Sequence, residues 1–207
     1  MNILDNTLYF GELFPKSAKA IIMIHGRGSE AADMVNSFEG VLPLNNYYIA
    51  APNAPARSWY PYSFLTPQDK NEPMLSNALT LLAELISDLI NTGFKRREIY
   101  VLGFSQGACL ALEFAARNAA EFGGIFALSG ALIGEYVNEA NYSGNFNGTP
   151  IFLGCSDVDS HIPLARVKES SVVLDRMGAR VIEKIYPGMA HTVNKDEINE
   201  VSKILKH

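Results

Sequence analysis

The chain has 207 residues, enough for one domain (1–207) with a well-buried core, and 48% of them are hydrophobic. Its 17 Lys and Arg against 22 Asp and Glu leave a net charge of −5, which argues against a nucleic-acid surface, since phosphate binding needs clustered cations and the densest run is only Lys95-Arg96-Arg97. No stretch reaches the roughly 18 to 20 apolar residues of a bilayer span. "MNILDNTLYFGELF" shows no basic n-region or long apolar run, and Cys109 and Cys155 lack metal-ligand or disulfide spacing, so a cytoplasmic location is expected.

In chain order, Ala20–Ile24 ("AIIMI") and Tyr47–Ala51 ("YYIAA") are short apolar strands ending at His25-Gly26 and Pro52. Met74–Asn91 carries Leu75, Leu79, Leu82, Ile86 and Leu89 at helical spacing, with Thr92-Gly93 as its stop. A strand over Ile99–Gly103 leads to a helix over Ala108–Asn118. Strands follow at Gly124–Leu128 and Pro150–Gly154, then a helix at Leu164–Met177, a strand at Val181–Tyr186 and a closing helix at Lys195–Leu205. The continuous apolar runs suit a mostly parallel sheet covered on both faces, an α/β architecture whose chemistry belongs in the loops after the strands.

One of those loops is Gly103-Phe104-Ser105-Gln106-Gly107. A G-x-S-x-G sequence between a strand and a helix is the pattern of a nucleophile elbow, with glycines where side chains would strike the adjacent strand and helix. A serine hydroxyl needs a base. In this architecture the order is serine, acid, histidine, and His191 in "YPGMAHTVNKDEI" follows the last strand. The acid lies in "SDVDSHIP": Asp157, nearer the expected strand end at Gly154, is preferred, and Asp159 is the alternative. Backbone N–H groups of Gln106 and of Arg27, the latter flanked by Gly26 and Gly28 in "HGRGS", are the expected oxyanion donors. Gln106 thus acts through its N–H rather than its side chain.

Together, "HGRGS", "GFSQGACLALEFA", "SDVDSHIP" and "YPGMAHTVNKDEI" resemble the phospholipase/carboxylesterase family of α/β hydrolases, the group related to acyl-protein thioesterases, from about Lys19 to the C-terminus. The resemblance implies an α/β-hydrolase fold without a large lid domain. It also implies a serine hydrolase working through Ser105, His191 and an aspartate of the "SDVD" loop, with no metal or organic cofactor. Family members usually place the acid three residues after a glycine and four before a proline; here two extra residues separate those anchors. Arg27 stands where thioesterase relatives often carry an apolar residue, and its guanidinium is expected to favour an acidic or polar substrate at the pocket mouth. The resemblance also sets "SWYPYSFLTP" beside the site, with Trp59, Tyr60, Tyr62 and Phe64 as a pocket wall, and His161 is read from its loop as a loop or pocket-rim residue. The expected partner is a small ester or thioester, with a homodimer left open. The reading is a carboxylesterase. Acyl-protein thioesterase or lysophospholipase activity, and a ligand-binding protein on a hydrolase scaffold, are the alternatives.

Overall fold

A computed structural model of the protein describes residues 6–206; the start of the segment read for a leader, 1–5, and His207 lie outside them. Seven strands form one sheet in the order β1-β3-β2-β4-β5-β6-β7. They are β1 (Thr7–Gly11), β2 (Lys19–Ile24), β3 (Tyr47–Pro52), β4 (Ile99–Phe104), β5 (Gly124–Leu128), β6 (Pro150–Ser156) and β7 (Arg180–Tyr186). Only β1 runs antiparallel, against β3; the other pairings are parallel. The helices are α1 (Ala31–Phe38), α2 (Met74–Thr92), α3 (Gln106–Arg117), α4 (Leu164–Arg176) and α5 (Lys195–Leu205).

Parallel strands buried on both faces cannot alternate apolar with polar residues, and β2 shows the consequence. Ile22 and Ile24 pack with Leu75, Leu82 and Leu85 of α2 and Leu110 and Leu112 of α3. Ile21 and Met23 turn to the opposite face, against Met34, Val35 and Phe38 of α1 and Val201 and Ile204 of α5. The period of two splits the strands inside the sheet between two core layers, while the edge strand β1 is mostly exposed.

Strand–helix alternation and the parallel sheet match the sequence expectation, but four details differ. The edge strand β1 and the eight-residue α1 are additional elements. α3 begins at Gln106 rather than Ala108, directly after Ser105. β6 continues past Gly154 because Cys155 and Ser156 keep pairing with Ile185 and Tyr186 of β7. Among the described residues no helix is long and apolar enough to cross a membrane.

Candidate active site

The carboxyl ends of β2, β4, β6 and β7 meet at one edge of the sheet. Ser105 leaves β4 with φ 53° and ψ −119°, a conformation sparsely populated by residues with a side chain. Its N–H donates to the Leu128 carbonyl at 2.9 Å, while its carbonyl accepts from Cys109 at 3.0 Å and starts α3. The flanking glycines have the steric reasons the sequence suggested. A Cβ on Gly103 would overlap the Gly107 carbonyl, and one on Gly107 would overlap the Ile24 carbonyl of β2. The hydroxyl therefore stands at a helix N-terminus, where the N–H groups favour negative charge.

His191 Nε2 lies 2.8 Å from Ser105 Oγ, and Nδ1 lies 2.7 Å from Asp159 Oδ2. The other Asp159 oxygen accepts the N–H groups of His161 and Ile162 at 2.8 and 3.0 Å. Burial alone would raise the Asp159 carboxyl; the hydrogen bonds from His191 and those two N–H groups outweigh it and hold it below its ordinary value. An ionised carboxylate only accepts, so Nδ1 carries the hydrogen and Nε2 is left to accept from the serine hydroxyl. Phe104 and His161 flank the imidazole, with ring centroids 5.2 and 4.9 Å away.

The structure brings Asp159, the alternative, to His191, and not Asp157, the residue preferred from sequence. The exposed Asp157 carboxylate accepts the Gly188 N–H at 2.7 Å, bracing the loop of His191 without touching the ring. The cause is the longer β6: with the strand ending at Ser156, Asp157 leaves the sheet first and Asp159 sits where the loop turns back beneath the imidazole.

The far end of the His191 loop is anchored by Asn194, whose side chain caps α5 through the N–H groups of Asp196 and Glu197. Glu197 Oε2 accepts the Asn194 N–H at 2.8 Å, while Oε1 is buried without a partner among the described residues. Burial pushes this carboxyl up to about 7. Since that lies above its ordinary value of 4.5, the neutral form favours folding, and its contribution is complete below pH 4.5 and lost as pH rises through 7. Glu197→Gln is thus expected to gain on the order of 3 kcal/mol over the wild type at pH 8 and nothing at pH 4; urea titration at both values checks this, and an equal change at both would contradict it.

A cleft of about 950 Å³ opens over Ser105. Of the residues read as pocket wall or rim, Tyr60, Tyr62, Phe64 and His161 line it and Trp59 does not. Trp59 is 1% exposed because its indole N–H turns inward to the His25 carbonyl at 2.8 Å and its ring packs on the His25 imidazole. Sequence reasoning missed a further set of apolar lining residues: Met34 and Phe38 of α1, with Val41, Val193 and Ile198. The i, i+4 pair Met34 and Phe38 behind the Glu30–Asp33 capping box was the available signal. Arg27 and Gln106 line the cleft, and neither main-chain N–H has a hydrogen-bond partner among the described residues. The Arg27 guanidinium, expected to greet an acidic substrate, donates instead to main-chain carbonyls of residues 60–62.

The model of the phospholipase/carboxylesterase family matches residues 15–207. A phospholipase/carboxylesterase from Dyadobacter fermentans is 42% identical and superposes with a TM-score of 0.95, covering 98% of this chain and 96% of that one. Acyl-protein thioesterase 1 of Debaryomyces hansenii is 28% identical across 92% of this chain and 94% of its own length. That of Saccharomyces cerevisiae is 33% identical over 132 residues, 63% of this chain and 58% of that protein. With an α/β-hydrolase sheet and a family match over nearly its whole length, the chain belongs to the phospholipase/carboxylesterase family of hydrolases.

Proposed function

We propose that the protein is a serine esterase, a single hydrolase domain working in the cytoplasm on small carboxylic esters. The observation that carries the reading is the unbroken chain from Ser105 Oγ through His191 to Asp159, with links of 2.8 and 2.7 Å. In this reading His191 takes the Ser105 proton as the hydroxyl attacks the ester carbonyl. The N–H groups of Arg27 and Gln106 hold the tetrahedral oxyanion. His191 then returns the proton to the leaving oxygen, and a water deprotonated by the same imidazole hydrolyses the acyl-enzyme. Asp159 keeps the ring in the working tautomer and offsets the imidazolium charge.

Fluorophosphonate labelling tests the nucleophile. Folded wild-type protein is expected to label stoichiometrically and to hydrolyse p-nitrophenyl acetate, with Ser105→Ala losing both. A folded wild type that does not label would falsify the esterase reading and favour a ligand-binding role on the hydrolase scaffold.

The apolar wall of Met34, Phe38, Val41, Val193 and Ile198 supports thioesterase or lysophospholipase activity as a second reading, because it offers an acyl chain a dry surface. A panel of esters and thioesters of increasing acyl length separates the two. A rise in kcat/KM up to long-chain thioesters supports the second, and an optimum at short oxygen esters supports the first.

A further inference from the structure

Arg27 and Gln106, the two proposed oxyanion donors, both line the cleft, and each also grips the same strip of main chain with its side chain. Arg27 Nη1 donates to the Pro61 carbonyl at 2.9 Å, and Nη2 donates to the carbonyls of Tyr60 and Tyr62 at 2.9 and 2.7 Å. Gln106 Nε2 donates to the Tyr60 carbonyl at 2.8 Å, while its Oε1 accepts the Trp59 N–H at 3.0 Å. The Tyr60 carbonyl is therefore shared by the side chains of both residues.

The strip is stitched back to the loop after β2 on either side of Arg27. The Gly28 N–H donates to the Arg57 carbonyl at 2.8 Å, and the Trp59 indole donates to the His25 carbonyl at 2.8 Å. His25 completes the arrangement. Its Nε2 accepts the Ala54 N–H at 3.1 Å, which leaves Nδ1 to donate to the Gly26 carbonyl at 2.7 Å. The Gly26 carbonyl and the Arg27 N–H belong to one planar trans peptide and point in opposite directions. Holding that carbonyl against the imidazole therefore keeps the N–H turned the other way. Burial lowers the His25 pKa, in keeping with a neutral ring that donates from one nitrogen and accepts at the other.

We propose that residues 57–62 are a template that sets the spacing and direction of the two oxyanion donors, with the side chains of Arg27, Gln106 and His25 as its positioning groups. The proposal rests on the reading of those N–H groups as the oxyanion hole. An arginine suits the task because its planar guanidinium reaches several carbonyls at once, which a lysine ammonium on a flexible stem cannot do in fixed geometry. Small misplacements of such donors act on the transition state more than on substrate binding.

Arg27→Met isolates the effect, since it keeps the N–H and removes the guanidinium. Its kcat for p-nitrophenyl acetate is expected to fall about tenfold with KM within about twofold, and its affinity for a trifluoromethyl ketone, which forms an oxyanion adduct, to fall by a similar factor. Arg27→Lys recovers part of the loss. Gln106→Met, combined with Arg27→Met, costs less than the product of the single losses, because both act through one carbonyl. A rise in KM at constant kcat would overturn the proposal by making Arg27 a substrate contact. A lowered Tm with unchanged kcat would overturn it by making the strip merely structural. Should Arg27→Met fail to fold, Arg27→Lys and Gln106→Met carry the same comparison. Fluorophosphonate labelling of the wild type, run in parallel, keeps the cases apart: no label there sinks the esterase reading, whereas a labelled wild type with full kcat in the variants sinks the template alone.

Discussion

Asp159→Asn is expected to lower kcat about ten-thousandfold with KM little changed, while Asp157→Asn stays within about threefold of the wild type. The difference follows from what each carboxylate accepts. Asp159 Oδ1 takes two main-chain N–H groups, from His161 and Ile162, so in Asp159→Asn the amide oxygen must remain on that side. The amide NH2 then faces His191 Nδ1, which can accept from it only by surrendering its own hydrogen. The hydrogen moves to Nε2, and the ring can no longer take a proton from Ser105. In Asp157→Asn the side-chain oxygen still accepts the Gly188 N–H, and nothing at the imidazole changes. Steady-state rates on p-nitrophenyl acetate decide the matter; equal small losses from both would sink the role of either as the triad acid.

How far the site was legible from sequence depends on the range over which each constraint acts. Ser105 was readable because its constraint is local: Gly103 and Gly107 stand two residues away, and each lacks a Cβ for a collision visible in the structure. His191 followed from chain order together with its place between the last strand and the last helix. The acid was not legible, because the choice turns on whether Cys155 and Ser156 extend β6, and that is decided by their pairing with β7. A composition rule ends the strand at Gly154, whereas the ladder does not. The side-chain roles of Arg27 and Gln106 were equally out of reach. Their bonds span 33 to 47 residues and join irregular segments, where no periodicity marks the partners. Trp59 shows the opposite error: an aromatic-rich loop beside a site reads as pocket wall, yet the indole N–H found its acceptor inward, at His25. For the fold, the parallel strands carried a strong signal through their apolar runs. α1, at eight residues, spans little more than two turns, too short for its pattern to stand out, and β1 is an edge strand with four of its five residues exposed.

Gly107→Ala is expected to cost both stability and activity, and the second loss should exceed what the first explains. The added methyl would fall on the Ile24 carbonyl and lie 2.6 Å from the His25 carbonyl and 2.7 Å from the Ile24 carbonyl carbon. All three are main-chain atoms, so no rotamer change relieves the overlap, and either α3 or the end of β2 must move. Overpacking of this kind costs roughly 1–3 kcal/mol, visible as a drop in Tm or urea midpoint. The direction of the movement matters more for function. The end of β2 carries His25, Gly26 and Arg27, while the start of α3 carries Ser105 and Gln106, so the methyl acts as a wedge between the two proposed oxyanion donors. Shifting one donor relative to the other by a fraction of an ångström removes transition-state stabilisation even in protein that stays folded, and kcat measured well below Tm should fall about a hundredfold. Fluorophosphonate labelling should slow in parallel, because its phosphoryl oxygen occupies the same position as the ester oxyanion. A Gly107→Ala protein with wild-type Tm and wild-type kcat would mean that the elbow tolerates a side chain at this position, and the steric account of both flanking glycines would have to be abandoned.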